Sequence, residues 1–146
     1  MTALSYMNRA LSLARQQAGR TGKNPSVGCV LVNASGQIIG EGATGDGGRP
    51  HAEQLALSNL TPEQTKDCTA YVTLEPCRER STDELSCSER LIEAGVRAVI
   101  MATYDPHPQG KGGADRLRDA NIHVEVGPFK DQADRFYADF FKSVSK

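Results

Sequence analysis

Strand-like segments alternate with helix-like segments along most of the chain, and this alternation limits the fold more than any other feature. The strand-like segments are VGCVLVN, QIIGEGA, TAYVTL, RAVIMAT and IHVEV. The first two flank the polar turn ASG, which predicts a β-hairpin, and the first is apolar on both faces, which predicts a central strand. Helical spacing predicts helices at residues 4–17, about 51–59, 88–94, after 113 and at 130–143. We expect one α/β sheet covered by helices on both faces.

The length and charge of the chain favour one domain that acts on a small molecule. Its 146 residues suit a single domain spanning 1–146. The 17 basic and 18 acidic residues nearly cancel. No basic field is therefore available for a nucleic-acid backbone, and we expect a small-molecule partner and no nucleic acid.

The N-terminal segment and the cysteines predict a soluble, cytoplasmic protein with no membrane partner. The first 20 residues lack the apolar stretch of a secretory signal, and no run approaches the roughly 18 apolar residues of a membrane span. The four cysteines, Cys29, Cys68, Cys77 and Cys87, are too few for a disulfide framework. In a reducing compartment, clustered cysteines more often indicate metal binding or catalysis.

One histidine and two cysteines occupy the loops in which an α/β sheet builds its sites, at the points where strands give way to helices. His51 begins a predicted helix, and Cys77 and Cys87 bracket the segment after the strand TAYVTL. One imidazole and two thiolates suit zinc, and three protein ligands leave the fourth position for water, as in catalytic sites. Zinc makes hydroxide available at neutral pH, and Glu53 is the candidate proton carrier.

The spacing of His51 and Glu53 depends on where the helix begins, because residues i and i+2 inside a regular helix point to nearly opposite sides. If the helix begins at about Pro50 or His51, both side chains can reach past its end. Taken singly, each residue is more simply a helix cap or a small core residue. Together they match the zinc deaminase signature H-x-E followed by P-C and C, in which the glutamate is the general acid and base.

From about Ser5 to Val126 the chain resembles the cytidine-deaminase-like zinc hydrolases and, within them, the riboflavin-pathway pyrimidine deaminases. The resemblance rests on NPSVGCVLV, GEG, HAEQLAL, VTLEPC, CSERLIEAGV and DPHPQGKG. It implies a three-layer α/β/α fold around a five-stranded mixed sheet. It also implies a Zn²⁺ ion held by His51, Cys77 and Cys87, with Glu53 catalytic. The implied substrate is an aminopyrimidine, the diamino-hydroxy-ribosylaminopyrimidine phosphate of riboflavin biosynthesis.

The same resemblance implies four substrate-binding residues. Asn24 matches the asparagine that contacts the substrate base, and Asp105 matches an aspartate after the fourth strand, whereas His107 replaces the family's asparagine. Nine residues, RERSTDELS, separate the two cysteines, which is the length found in fungal members, and Arg80 matches their arginine.

Three basic side chains each have two possible roles. Arg78 and Arg80 either clamp a substrate phosphate, which a guanidinium matches in bidentate fashion, or belong to a solvated charged loop. Lys111, beside several glycines, either receives an anion or lies in a flexible connector.

The partners are predicted from the last part of the chain. Many bacterial family members carry a reductase domain after the deaminase, so we expect a separate reductase here. Four aromatic residues within six positions of the final helix, Phe136 to Phe141, favour a homo-oligomer. Two other functions stay open: deamination of another nucleobase, nucleotide or pterin-like compound, and a non-catalytic zinc-stabilised module whose site Cys68 closes.

Overall fold

The computed structural model describes residues 2–78, 85–107 and 111–142. Its helices and strands are α1 Ala3–Gln17, β1 Gly28–Val32, β2 Ile38–Ala43, α2 Ala52–Leu57, α3 Pro62–Thr65, β3 Thr69–Val72, α4 Cys87–Ala94, β4 Ala98–Met101, α5 Gly113–Asp119, β5 His123–Val126, α6 Lys130–Phe136 and α7 Ala138–Lys142. Within these ranges, none of the helices combines the length and apolar character needed to span a membrane.

The five strands form one mixed sheet in the order β2-β1-β3-β4-β5, which confirms the predicted sheet. Strand β1 pairs antiparallel with β2 and β3, whereas β3, β4 and β5 run parallel. Val72 at the end of β3 lies between Cys29 of β1 and Met101 of β4. The segment before β1 and the segments after β3 and β4 therefore meet at the carboxyl ends of the parallel strands.

Helices cover both faces of this sheet, as the sequence predicts. The buried face of α1 and the C-terminal helices pack on one face of the sheet, in a cluster that includes Met7, Leu11, Val30, Ile100 and Tyr137. Helices α2, α4 and α5 pack on the other face, in a cluster that includes Leu31, Ala56, Val72, Leu91 and Leu117. Strand β1 contributes to both clusters, because its five residues are all buried.

Three details differ from the expectations. The helix after Pro50 begins at Ala52, so Pro50 lies outside it and His51 is its N-cap residue. The short helix α3 was not predicted; a capping box between Thr61 and Gln64 stabilises it. The closing helix is divided into α6 and α7, with Tyr137 between them.

Candidate metal and substrate site

One histidine and two cysteines that are distant in sequence lie together at the carboxyl ends of the parallel strands. The ligand atoms of His51, Cys77 and Cys87 all lie within 4.8 Å of one another. The His51 Nδ1 atom is 3.2 Å from the Cys87 sulfur and 4.0 Å from the Cys77 sulfur. We call these three residues the His–Cys cluster. One imidazole and two thiols form a donor set that fits zinc.

Helix starts position two of the three side chains. His51 has an extended backbone as the N-cap of α2, with φ −70° and ψ 157°. Cys87 is the first residue of α4, after the N-cap Ser86, whose hydroxyl accepts a hydrogen bond from the Glu89 amide. His51 and Cys87 therefore each project from the start of a helix.

Cys77, in contrast, belongs to none of the helices in the described residues. It follows β3 in an irregular segment, and its sulfur accepts a hydrogen bond of 3.2 Å from the Cys87 backbone amide. Hydrogen bonding to Cys87, together with His51, lowers the pKa of the Cys77 thiol. The start of α4 therefore favours the thiolate, the form that binds metals.

The carboxyl group of Glu53 faces this cluster from the first turn of α2. Glu53 is only 3% exposed. Burial, followed by the charge of Cys77, raises the pKa of Glu53 to about 7, and the Cys87 side chain forms a hydrogen bond with it. Both protonation states are then accessible near neutral pH, as a group that accepts and returns a proton requires. Because His51 lies outside the helix, the two-residue spacing does not separate the two side chains.

The third cysteine with a proposed role, Cys68, does not join the cluster. Cys68 lies before β3, at the opposite end of that strand from the loop that carries Cys77. Its thiol donates a hydrogen bond to the Gln64 carbonyl, at 3.2 Å. The alternative in which Cys68 completes a closed site of four protein ligands is therefore contradicted.

The predicted substrate residue Asn24 lies in the segment before β1. Its side-chain amide donates a hydrogen bond of 2.9 Å to the carbonyl of Gly48. Gly48 has φ +103°, and a Cβ atom there would lie 2.6 Å from the Asn24 side-chain nitrogen. This contact joins the Asn24 segment to the turn that leads into His51. Arg80, also predicted to bind substrate, lies outside the described residues.

Asp105 and His107 form a fixed pair after β4. The Asp105 carboxylate accepts hydrogen bonds from the His107 backbone amide at 2.9 Å and from Nδ1 at 3.1 Å. The His107 ring also stacks on Phe140, with centroids 4.0 Å apart. Burial is the main cause that raises the pKa of Asp105, and the charge of Cys77 adds to it. The pair therefore lies within electrostatic reach of the His–Cys cluster, and α7 supports it.

Glu75 supports the site and was not singled out from the sequence. It is 5% exposed, and its carboxylate accepts hydrogen bonds from the backbone amides of Asp105, Gly112 and Ala114, at 3.0, 3.2 and 2.9 Å. Burial raises the pKa of Glu75 despite these three donors. The sequence feature that could have identified Glu75 is its position in VTLEPC, directly after a buried strand. Through Glu75 the loop that carries Cys77 is tied to the β4 loop and to the start of α5.

The start of α5 also packs directly on the backbone before Cys77. A Cβ atom added at Gly113 would lie 1.7 Å from the carbonyl oxygen of Pro76. Only a glycine permits this approach. Its neighbour Gly112, with φ +95°, leaves room for the Arg78 side chain, which would lie 3.2 Å from a Cβ there.

A cleft of about 830 Å³ opens between the loop that carries Cys77, the β4 loop and α6. Its lining includes the carboxylates of Glu75 and Asp105 and the basic side chains of Arg78 and Lys111. Neither Glu53 nor the three residues of the cluster line it. Arg78 directly follows Cys77 in the chain, so the cleft and the His–Cys cluster share the loop after β3.

The comparisons with known proteins agree with this geometry. Residues 1–103 match the family described as the cytidine and deoxycytidylate deaminase zinc-binding region. A riboflavin biosynthesis protein RibD from Haemophilus influenzae is 47% identical over 95% of this chain and 37% of the relative. A diaminohydroxyphosphoribosylamino-pyrimidine deaminase from Buchnera aphidicola is 38% identical over 95% of this chain and 93% of the relative.

A solved structure adds a similarity of shape. The Thermotoga maritima diaminohydroxyphosphoribosylaminopyrimidine deaminase/5-amino-6-(5-phosphoribosylamino)uracil reductase superposes with a TM-score of 0.89 at 32% identity. The match covers 98% of this chain and 41% of that one. The chain thus spans less than half the length of this protein and of the Haemophilus influenzae relative.

Proposed function

The chain belongs to the cytidine and deoxycytidylate deaminase family of zinc-dependent hydrolases, and we propose that it deaminates the diamino-hydroxy-ribosylaminopyrimidine phosphate of riboflavin biosynthesis. The observation that carries the deaminase chemistry is the buried carboxyl group of Glu53 facing the His–Cys cluster. The names of the Haemophilus influenzae, Buchnera aphidicola and Thermotoga maritima relatives support the choice of substrate.

His51 Nδ1 and the sulfur atoms of Cys77 and Cys87 would hold the zinc ion. A bound zinc ion supplies a Lewis acid and lowers the pKa of water to about 7, so that a nucleophile is available at neutral pH. Three protein ligands leave a position for that chemistry, whereas a structural site has four.

Glu53 moves the protons of the reaction. It accepts a proton from the attacking water and delivers it to a ring nitrogen as the carbon–oxygen bond forms at the amino-bearing carbon. The proton of the new hydroxyl group then passes through Glu53 to the amino group, the carbon–nitrogen bond breaks as the carbonyl forms, and ammonia leaves. The net change adds one water and releases one ammonia. A carboxyl group with a pKa of about 7 suits both transfers.

The remaining predicted residues would bind the substrate around this centre. Asn24 lies in the segment before β1, at the same end of the strands as the His–Cys cluster. Asp105 and His107 lie in the neighbouring β4 loop. The cleft with Arg78 and Lys111 in its lining would accept the ribose phosphate, because these two cations can pair with it. The four carboxylates of the lining, Glu75, Asp105, Asp115 and Asp134, each already have a partner within the protein. Arg80 is proposed for the same role on the basis of the family resemblance alone.

A panel of amino-substituted substrates tests the proposal. We expect the zinc-loaded protein to release one equivalent of ammonia from the diamino-hydroxy-ribosylaminopyrimidine phosphate, with a kcat/KM at least about 100-fold above that for cytidine or deoxycytidylate, since the site must recognise groups that those compounds lack. The measurement is coupled ammonia detection. A preference for cytidine, deoxycytidylate or a pterin-like compound would replace this substrate with another.

The phosphate assignment has its own test in the variant Arg78→Ala. Loss of one charge-assisted contact should raise KM for the phosphorylated substrate about tenfold and leave KM for its dephosphorylated form nearly unchanged. Lys130→Ala is the matched control, because Lys130 lines the same cleft but its ammonium forms an ion pair of 2.7 Å with Asp134. Equal effects of Arg78→Ala on both substrates would contradict a phosphate contact.

We also propose, from the sequence and the relatives, the wider setting of this activity. The protein would act as a single domain over 1–146, in the cytoplasm, as a homo-oligomer. Its product would pass to a reductase, since the Thermotoga maritima relative is named as both a deaminase and a reductase. Size-exclusion chromatography with light scattering tests the oligomer; a mass equal to one chain would refute it.

A further inference from the structure

A buried chain of hydrogen bonds connects the C-terminal helices to the segments around the site. The Tyr137 hydroxyl donates to the carbonyl of Ser26 at 2.7 Å and lies 2.7 Å from the Thr73 hydroxyl, which accepts from the Gly28 amide at 3.0 Å. A carbonyl can only accept and an amide N–H can only donate. The Thr73 hydroxyl must therefore donate to Tyr137, and all four groups are satisfied in one direction.

This chain of hydrogen bonds clamps the two backbone segments that reach the site from neighbouring strands. Ser26, two residues after Asn24, precedes β1, and Gly28 is the first residue of that strand. Thr73 directly follows β3, four residues before Cys77, and its amide donates to the Gly28 carbonyl at 3.1 Å. The Tyr137 hydroxyl therefore adds a contact from a third segment to the junction of the two.

The location of Tyr137 places it beneath the site. Its side chain is 2% exposed, between α6 and α7. Burial raises the pKa of Tyr137 strongly, and the nearby carboxylates of Glu53 and Asp105 raise it further. The residue lies beyond the part of the chain, 1–103, that matches the deaminase family. A side chain outside that region thus supports groups inside it.

We propose that Tyr137 is a positioning residue, which holds the Asn24 segment at a fixed separation from the loop that carries Cys77. Its catalytic consequence rests on the proposed function; its structural consequence does not. A looser Asn24 segment would bind the substrate ring less well. The Cys77 loop would stay anchored through Glu75, so the His–Cys cluster and Glu53 would keep their chemistry. The expected signature is a change in KM with little change in kcat or in zinc content.

The variant Tyr137→Phe tests this, with Tyr6→Phe as the matched control. Tyr6 is also buried in the α1 face of the core, and its hydroxyl donates to the Gly36 carbonyl at 2.6 Å, at the hairpin turn on the far end of β1. We expect Tyr137→Phe to raise KM about tenfold with kcat within about threefold, and to speed amide hydrogen exchange in residues 26–28 about tenfold. Tyr6→Phe should change neither, and both variants should bind one zinc per chain.

A second variant and the exchange readout keep the outcomes distinct. Thr73→Val interrupts the same chain of hydrogen bonds, so the double variant should raise KM no more than about either single variant does. Additive effects, unchanged exchange in residues 26–28, or faster exchange with unchanged KM would each overturn the positioning role. If the unmodified protein releases no ammonia from any pyrimidine, the proposed function fails, and the exchange comparison alone then decides whether Tyr137 braces the segment.

Discussion

Replacing Glu53 by alanine should abolish turnover and leave the zinc in place. Glu53 is a neighbour of the His–Cys cluster and not one of its members. The variant should therefore keep about one zinc per chain while kcat falls about 10³-fold or more, which is the usual scale for the loss of a general acid and base. The zinc content is measured by elemental analysis and the rate by ammonia release.

Two further variants define what this result would mean. Glu53→Gln preserves the size of the side chain but cannot carry a proton as a carboxylate does, and we expect a loss similar to that of the alanine variant. Glu63→Ala is the matched control, because Glu63 occupies the same second position of α3 that Glu53 occupies in α2, but it is exposed. Full activity in Glu53→Ala would refute the mechanism, and loss of zinc would make Glu53 a ligand.

Replacing Cys87 by serine should remove the metal. A serine hydroxyl stays protonated at neutral pH and is a poor ligand for zinc, so the affinity for zinc should fall by more than about 100-fold and activity with it. The backbone amide of residue 87, which donates to the Cys77 sulfur, is unchanged by the substitution. Competition with a chelator of known affinity measures the zinc binding.

The control for that loss is Cys68→Ser. Cys68 is also buried, and a serine hydroxyl can keep its hydrogen bond to the Gln64 carbonyl. We expect this variant to bind one zinc with unchanged affinity. If Cys87→Ser also held stoichiometric zinc with unchanged affinity, Cys87 would be excluded as a ligand.

The fold was predictable to the level of its strands and layers. The doubly apolar segment at Gly28–Val32 had to be central, because only an interior strand buries both faces, and it lies between β2 and β3. The alternation of strands and helices then left few ways to cover the sheet. The ends of helices were less predictable. The closing helix is divided at Tyr137, whose hydroxyl contacts polar groups on two other segments that no local pattern indicates.

The residues of the candidate site that belong to a known motif could be predicted. The residues that hold the site together through contacts distant in sequence could not. The zinc deaminase signature identifies His51, Glu53, Cys77 and Cys87 by their order in the sequence. The chemistry of these side chains indicates zinc whichever fold the chain adopts. The roles of Glu75 and Tyr137 depend on backbone groups 30 or more residues away in sequence, which no local pattern encodes.

The sequence by itself determined which atoms the protein brings to the reaction: one imidazole, two thiols and a carboxyl group. Only the tertiary structure decided how those atoms behave. Hydrogen bonds with Cys87, first with its side chain, lower the pKa of Cys77, and burial raises the pKa of Glu53. These shifts depend on solvent exclusion and on distances between segments that meet only in the folded chain, because a pKa responds to its surroundings in space and not to its neighbours in sequence.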